Sequence, residues 1–303
     1  MKPNQFEKSG STELASPIVG GEIVAQDVSK SYEVDGEQRL VIHGCSLTVE
    51  RGKLTVMIGP SGCGKSTLIR LLAGFEKPSS GAVLVNGKEV RRPNGDCLVV
   101  FQETALFDWM TTRDNVFFGP RVRGTFDKAM LNKANALLAY VGLEQFQGKY
   151  PTQLSGGMQR RAELARAMIN NPDVMVLDEP FRGLDAMTKK LMQEYYARIF
   201  AETRRTTLFI TTDIDEAIFL ADRILIMTNM PMRVRASINV TLPRPRRLID
   251  VFDSDAGNAI KMQALTILHE EAMKSFSQGS AAATDFMNAY SMRVDRTQSA
   301  GNR

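Results

Sequence analysis

The chain has 303 residues, 43% hydrophobic and 24% charged, which supplies apolar mass for one large domain or two joined lobes around a buried core. Its 38 basic residues are balanced by 34 acidic ones, a formal net charge of +4 with no concentrated basic stripe, so no nucleic-acid surface is expected. Cys45, Cys63 and Cys97 form no C-x-x-C pair and no even-numbered framework, which argues against a disulfide scaffold or a zinc site and fits reduced thiols in a cytosolic protein.

In chain order, residues 1–21 (MKPNQFEKSGSTELASPIVGG) lack the apolar run of a signal peptide and read as a polar, disordered lead. No window approaches the roughly 20 consecutive apolar residues of a membrane helix. The longest apolar runs, such as LTVMIG and VMVL, have strand length. Near-continuous apolar runs at 54–58, 98–101, 174–177, 207–210 and 224–227 predict strands covered on both faces. That pattern implies an α/β core with a mostly parallel sheet. Between the second and third runs, KAMLNKANALLAYVGL and MQRRAELARAMI carry helical spacing with no comparable strand, so a helical insertion is expected, spanning about 103–171. From Arg244 the pattern breaks at PRPRR, and 246–303 reads as an extension. Residues 256–276 predict one or two amphipathic helices with Ala259, Met262, Leu265, Leu268 and Ala272 on the apolar face, followed by a small, polar tail.

The strongest chemical signal is GPSGCGKST: Gly59, Pro60, Ser61, Gly62, Cys63, Gly64, Lys65, Ser66 and Thr67. It matches the phosphate-binding loop G-x-x-x-x-G-K-[ST] in the required context, after a strand and before a helix. Glycines let backbone N–H groups converge on phosphate oxygens, and the helix N-terminus adds a favourable dipole. Lys65 then reaches the β and γ phosphates and Ser66 ligates Mg²⁺. Cys63, one thiol with no partner nearby in sequence, reads as a small filler. A second signal, VMVLDEP at 174–180, is a buried strand that delivers Asp178 and Glu179 to the sheet's carboxyl edge, where ligands bind in α/β folds. There Asp178 suits the Mg²⁺ shell and Glu179 suits polarisation of a water for in-line attack. The third, LSGGMQRR at 154–161, opens a helix with Ser155, Gly156 and Gly157, whose N–H groups can approach an anion closely.

In this order the three motifs resemble the ATP-binding-cassette ATPases, over about residues 22–245. The resemblance implies a P-loop NTPase core with an antiparallel N-terminal β region, the inserted helical subdomain, ATP and Mg²⁺ as cofactors, and a signature motif that caps the γ phosphate held by a partner subunit. It also implies that Tyr32 in VSKSYEV stacks on adenine, and that Gln102 in VVFQETALFDWMT reaches the metal and the attacking water while its loop contacts a membrane subunit. Gly183-Leu184-Asp185 resembles the D-loop at the dimer interface. Phe107 and Trp109 fit either a core or a partner contact.

Within that family the stretch FQETALFDWMTTRDNVFFG and TDIDEAIFLADRILIM look most like importer ATPases of the nitrate, taurine and aliphatic-sulfonate group, although Phe107-Asp108-Trp109 stands where Leu-Pro-Trp is usual. The implied partners are a second cassette, identical or different, two membrane-spanning permease subunits and, indirectly, a substrate-binding protein, with the chain at the cytoplasmic face of the inner membrane. The alternative is a soluble cassette acting on a non-membrane partner, a reading disfavoured by the lack of a tandem cassette, zinc module or basic arm. One departure concerns catalysis. ITTD places Thr212 where the family's switch histidine is expected, and the chain's two histidines, His43 and His269, lie outside the motif.

Overall fold

The computed structural model describes residues 20–277. The expected polar lead, apart from its last two residues, and the polar tail lie outside the described residues.

Two sheets share the core. The first contains β1 (Ile23–Val34), β2 (Glu37–Val49), β4 (Ser80–Val85) and β5 (Lys88–Glu89) in the order β2-β1-β4-β5, antiparallel throughout. Asp35 and Gly36 turn the β1–β2 hairpin with φ of 53° and 80°, the two positive angles that match the twist of paired strands. The second contains β3 (Leu54–Ile58), β6 (Cys97–Val100), β7 (Val174–Asp178), β8 (Thr206–Ile210), β9 (Arg223–Met227) and β10 (Val234–Asn239) in the order β10-β9-β3-β8-β7-β6. Only β10 runs antiparallel to its neighbour.

The period-2 geometry of a strand explains why the central runs are apolar at every position. Leu54, Val56 and Ile58 enter one hydrophobic cluster, whereas Met57 between them enters the cluster on the opposite face; Met175 and Leu177 part in the same way from Val174 and Val176. One cluster lies under α1 (Lys65–Leu72) and the antiparallel sheet. The other lies under α5 (Ala186–Thr203), α6 (Ile214–Leu220) and the helical insertion.

The insertion lies between β6 and β7, as expected. It contains α2 (Thr112–Val122), α3 (Lys128–Tyr140) and α4 (Gly156–Ile169), whose first turns are capped by the side chains of Thr111, Asp127 and Ser155. Helix α2 was not legible in the sequence, because Gly119 and Pro120 interrupt its pattern. Strand β6 ends before Phe101, which is exposed.

The C-terminal extension forms α7 (Leu248–Asp253) and α8 (Asp255–Ser277). The expected apolar face of α8 holds at Leu268 and Ala272 and is corrected at its N-terminal end. Ala264, Leu268 and Ala272 are buried, but Ala259 is exposed and Met262 is 63% exposed. The helix therefore turns a narrow stripe of small and aliphatic side chains toward α6 and the β9–β10 edge.

Candidate functional site

Four parallel strands end on one edge and deliver the predicted residues there: the loop 59–64 after β3, Gln102 after β6, Asp178 at the end of β7 with Glu179 after it, and Thr212 after β8. Neighbouring strands fix the register, since Asp178 pairs with Ile210 and Met57 with both Ile210 and Leu225.

After β3 the chain turns through Gly62 and Gly64, at φ of 76° and 118°, conformations that side chains rarely adopt. Gly59 is constrained differently, because a Cβ there would lie 2.9 Å from the Cβ of Met227. Gly64 caps α1 without any side-chain acceptor, which leaves the first N–H groups of the helix for an anion. Lys65 is 8% exposed, and its Nζ donates to the carbonyls of Gly59 at 2.9 Å and Pro60 at 2.8 Å. The ammonium thus lies over the loop where phosphate oxygens would compete for it. Ser61 and Ser66 are exposed and Thr67 is half-buried. Cys63 is buried with its Sγ 3.8 Å from the Sδ of Met232, and burial pushes its thiol up despite the opposing pull of Lys65. Its environment is that of a filler.

Tyr32 stands on β1 with its hydroxyl donating to Glu76 at 2.5 Å and the Lys30 ammonium 5.0 Å from its ring centre. Burial and the Glu76 contact raise its phenol, while the Thr67 hydroxyl pulls the other way.

At the end of β7, burial raises the Asp178 carboxyl, Glu179 adds to the rise, and Lys65 and Arg182 oppose it. A cation beside Asp178 would relieve that cost. Among the described residues no group of three His, Cys, Asp or Glu is placed to hold a metal. The hydroxyl of Ser66 and one carboxylate nonetheless suit Mg²⁺, which keeps several waters and takes phosphates as its other ligands. Glu179 adopts φ 42°, a left-handed conformation costly for a side chain, and its N–H donates to Ile210 at 2.9 Å. The following residue that sequence reasoning missed is Arg182. Its Nη1 donates to Glu179 Oε2 at 3.2 Å and to Gln102 Oε1 at 3.3 Å.

The loop after β6 is held from α4, a second set of contacts not foreseen. Arg160 donates to the carbonyl of Phe101 at 2.9 Å and to that of Gln102. Glu163 accepts the Ala105 N–H at 2.5 Å, and Arg166 donates to the Ala105 carbonyl at 2.8 Å. The signal in MQRRAELARAM was the i, i+3 spacing of charges at 160, 163 and 166, which sets them on one face of the helix. Beside this loop lies a cleft of about 370 Å³ lined by Phe101, Phe107, Phe118, Glu163 and Arg166. Phe107 packs on Phe118 and Trp109, and Trp109 is 72% exposed.

The signature residues do not join the phosphate loop within one chain. Ser155 accepts the Met158 N–H, Ser155 and Gly156 are exposed, and a Cβ on Gly157 would lie 2.7 Å from Thr188, so the α4 N-terminus packs on α5 instead. Asp185 caps α5 by accepting the N–H groups of Met187 and Thr188. At β8, Asp213 caps α6 and accepts the Lys189 ammonium at 2.9 Å, Thr211 accepts the Asp213 N–H, and Thr212 is exposed. No helix among the described residues is long and apolar enough to cross a membrane.

Residues 42–182 match the ABC transporter family model. The chain is 41% identical over 253 residues to the bicarbonate transport ATP-binding protein CmpD of Synechococcus elongatus, covering 82% of this chain and 90% of that one. It is 39% identical over 222 residues to the taurine import ATP-binding protein TauB of Pseudomonas aeruginosa, covering 73% and 84%. A dimeric structure of the ATP-binding cassette MJ0796 in a post-hydrolysis state bound to ADP and Pi aligns with a TM-score of 0.64 at 26% identity, over 73% of this chain and all of that one.

Proposed function

This chain belongs to the ATP-binding proteins of the ABC transporter family and is an ATPase; from that premise we propose that it powers an importer of a small anionic solute from the cytoplasmic face of the inner membrane. The observation that carries the reading is the convergence of the phosphate loop, Asp178, Glu179 and Gln102 on one sheet edge, beside an aromatic cleft anchored to the same loop as Gln102. Bicarbonate, an anion, and taurine, a zwitterion that bears a sulfonate, are the solutes in the names of the two relatives and support a small solute with an anionic oxygen group.

The roles follow from the chemistry present. Residues 59–67 wrap the triphosphate, Lys65 exchanges its carbonyl partners for β and γ phosphate oxygens, and Tyr32 stacks on the adenine. Ser66, Asp178 and Gln102 hold Mg²⁺, which supplies charge neutralisation at the phosphates. Glu179 accepts a hydrogen bond from the attacking water. Ser155, Gly156 and Gly157 close the γ-phosphate side of a partner's site, a role that the exposure of Ser155 and Gly156 supports. The cleft beside Phe107 and the exposed Trp109 take a segment of a permease subunit. Thr212 in place of the histidine gives a slow site, which favours pairing with a second, different cassette.

Purification in mild detergent followed by mass spectrometry tests the importer reading. Recovery of a multi-span membrane protein, lost when Trp109→Ala and Phe107→Ala are combined, is the expected result; recovery of only soluble partners would overturn it.

A further inference from the structure

We propose that Arg182 is a positioning residue that ties the glutamine of the loop after β6 to the catalytic glutamate, so that movement of the helical insertion reaches Glu179. The inference rests on the roles proposed above for Gln102 and Glu179. One nitrogen, Arg182 Nη1, lies 3.2 Å from Glu179 Oε2 and 3.3 Å from Gln102 Oε1, so it joins two residues 77 positions apart in sequence that share the task of holding the attacking water.

The arrangement is built rather than incidental to a long side chain. The Arg182 N–H donates to the Glu179 carbonyl at 3.0 Å, closing a turn that brings the base of its side chain back over the carboxylate. Glu179 is itself fixed by its left-handed backbone and its bond to Ile210. On the other side, Arg160 grips the carbonyl of Gln102, and Glu163 grips the next turn of the same loop. A continuous path of hydrogen bonds therefore runs from α4 through Gln102 and Arg182 to Glu179. Each link is a discrete contact that a shift of the insertion would make or break.

Charge makes the position consequential. Lys65 is engaged by the phosphate loop, and Thr212 brings no charge to the end of β8. Arg182 is the cation between the two water-holding groups, and its side chain is 61% exposed. The Glu179 side chain is 12% exposed, so the pair is screened from the arginine side only and contributes modestly to fold stability. Both contacts leave from the one nitrogen Nη1, whose two N–H groups can serve one acceptor each, so an ammonium reaching the same point could serve both in part.

The test is single-turnover phosphate release, together with ATP affinity, on the purified full chain and its Arg182→Ala, Arg182→Lys, Gln102→Ala, Gln102→Ala/Arg182→Ala and Glu179→Gln variants. Arg182→Ala is expected to lower the rate about tenfold with ATP affinity within about twofold, and Arg182→Lys to recover part of it. In the Gln102→Ala background, removing Arg182 is expected to cost less than about twofold, because the bridge is already broken. A wild-type rate for Arg182→Ala, or its full loss persisting without Gln102, overturns the bridge while a dead Glu179→Gln leaves the proposed function standing. A wild-type rate for Glu179→Gln overturns that function and the bridge with it.

Discussion

The carboxylate of Glu163 on α4 accepts the main-chain N–H of Ala105 at 2.5 Å, with the Arg160 guanidinium 2.5 Å from its other oxygen. Both side chains are nearly inaccessible to water. Two buried charges thus hold a loop that carries a site residue, and each is satisfied by the other and by backbone. Removing one partner strands the other. Glu163→Ala is expected to destabilise the chain by about 3–5 kcal/mol, read as a fall in the urea midpoint. Glu163→Gln keeps an acceptor for Ala105 but leaves Arg160 unneutralised, and it should fall between. A midpoint unchanged in Glu163→Ala would mean that the loop is held by something else.

Lys65 and Glu179 should separate binding from chemistry. Lys65→Ala removes a buried ammonium that faces the phosphate loop, and it is expected to abolish measurable ATP binding in calorimetry. Glu179→Gln keeps shape and a hydrogen-bonding group but loses the charge that polarises water. It should bind ATP like the wild type and lose at least about 10²-fold in turnover. Poor binding by Glu179→Gln would contradict the assigned role.

How much of this was legible follows from the kind of signal each feature leaves. Strands β3, β7, β8 and β9 were readable to within a residue because burial on both faces forces an apolar run, and the phosphate loop was readable because its glycines and lysine are needed at fixed spacing. Arg160, Glu163 and Arg182 were not, because the loop groups they hold, at Phe101, Gln102 and Ala105, lie 58 to 80 residues away, and no local rule fixes which carbonyl a guanidinium meets. The burial of Ala264 rather than Ala259 on α8 was hidden for a related reason. Several stripes of that helix are apolar, and only the position of α6 and β9 decides which one is covered.

Asp114 supplies a pH signature. The Thr111 hydroxyl donates to it at 2.6 Å and Arg121 at 2.9 Å, and these contacts outweigh partial burial to hold its carboxyl below the usual 3.8. Because the folded value lies below the unfolded one, its contribution is complete above the unfolded value and is lost as pH falls through the folded one. The side chain is 29% exposed, so solvent limits the effect. The wild type should exceed Asp114→Asn by on the order of 0.5–1 kcal/mol near neutrality, and the gap should close below about pH 4. Urea titrations of both proteins at several pH values test this; a gap that widens in acid would reverse the sign.

Thr212 carries the last prediction. Ile210, the last residue of β8, accepts the Glu179 N–H at 2.9 Å, so the end of β8 is locked to Glu179, and Thr212 follows two residues later at the same edge. The capping duties there belong to Thr211 and Asp213, which leaves the exposed Thr212 side chain available to the nucleotide. A hydroxyl offers one donor on a short stem, where an imidazole would extend farther and carry a donor nitrogen to the γ phosphate or the water. Losing one positioned transition-state contact commonly costs about 10² to 10³ in rate. The purified chain is therefore expected to bind Mg-ATP normally and turn it over slowly, and Thr212→His is expected to raise turnover by at least about tenfold within that range. ATP affinity should barely change, because the contact strengthens as the water attacks and not when the nucleotide binds. Brisk turnover by the wild-type chain that Thr212→His leaves unchanged would show that Glu179 and Gln102 suffice, and it would remove the reason for pairing this cassette with a different one.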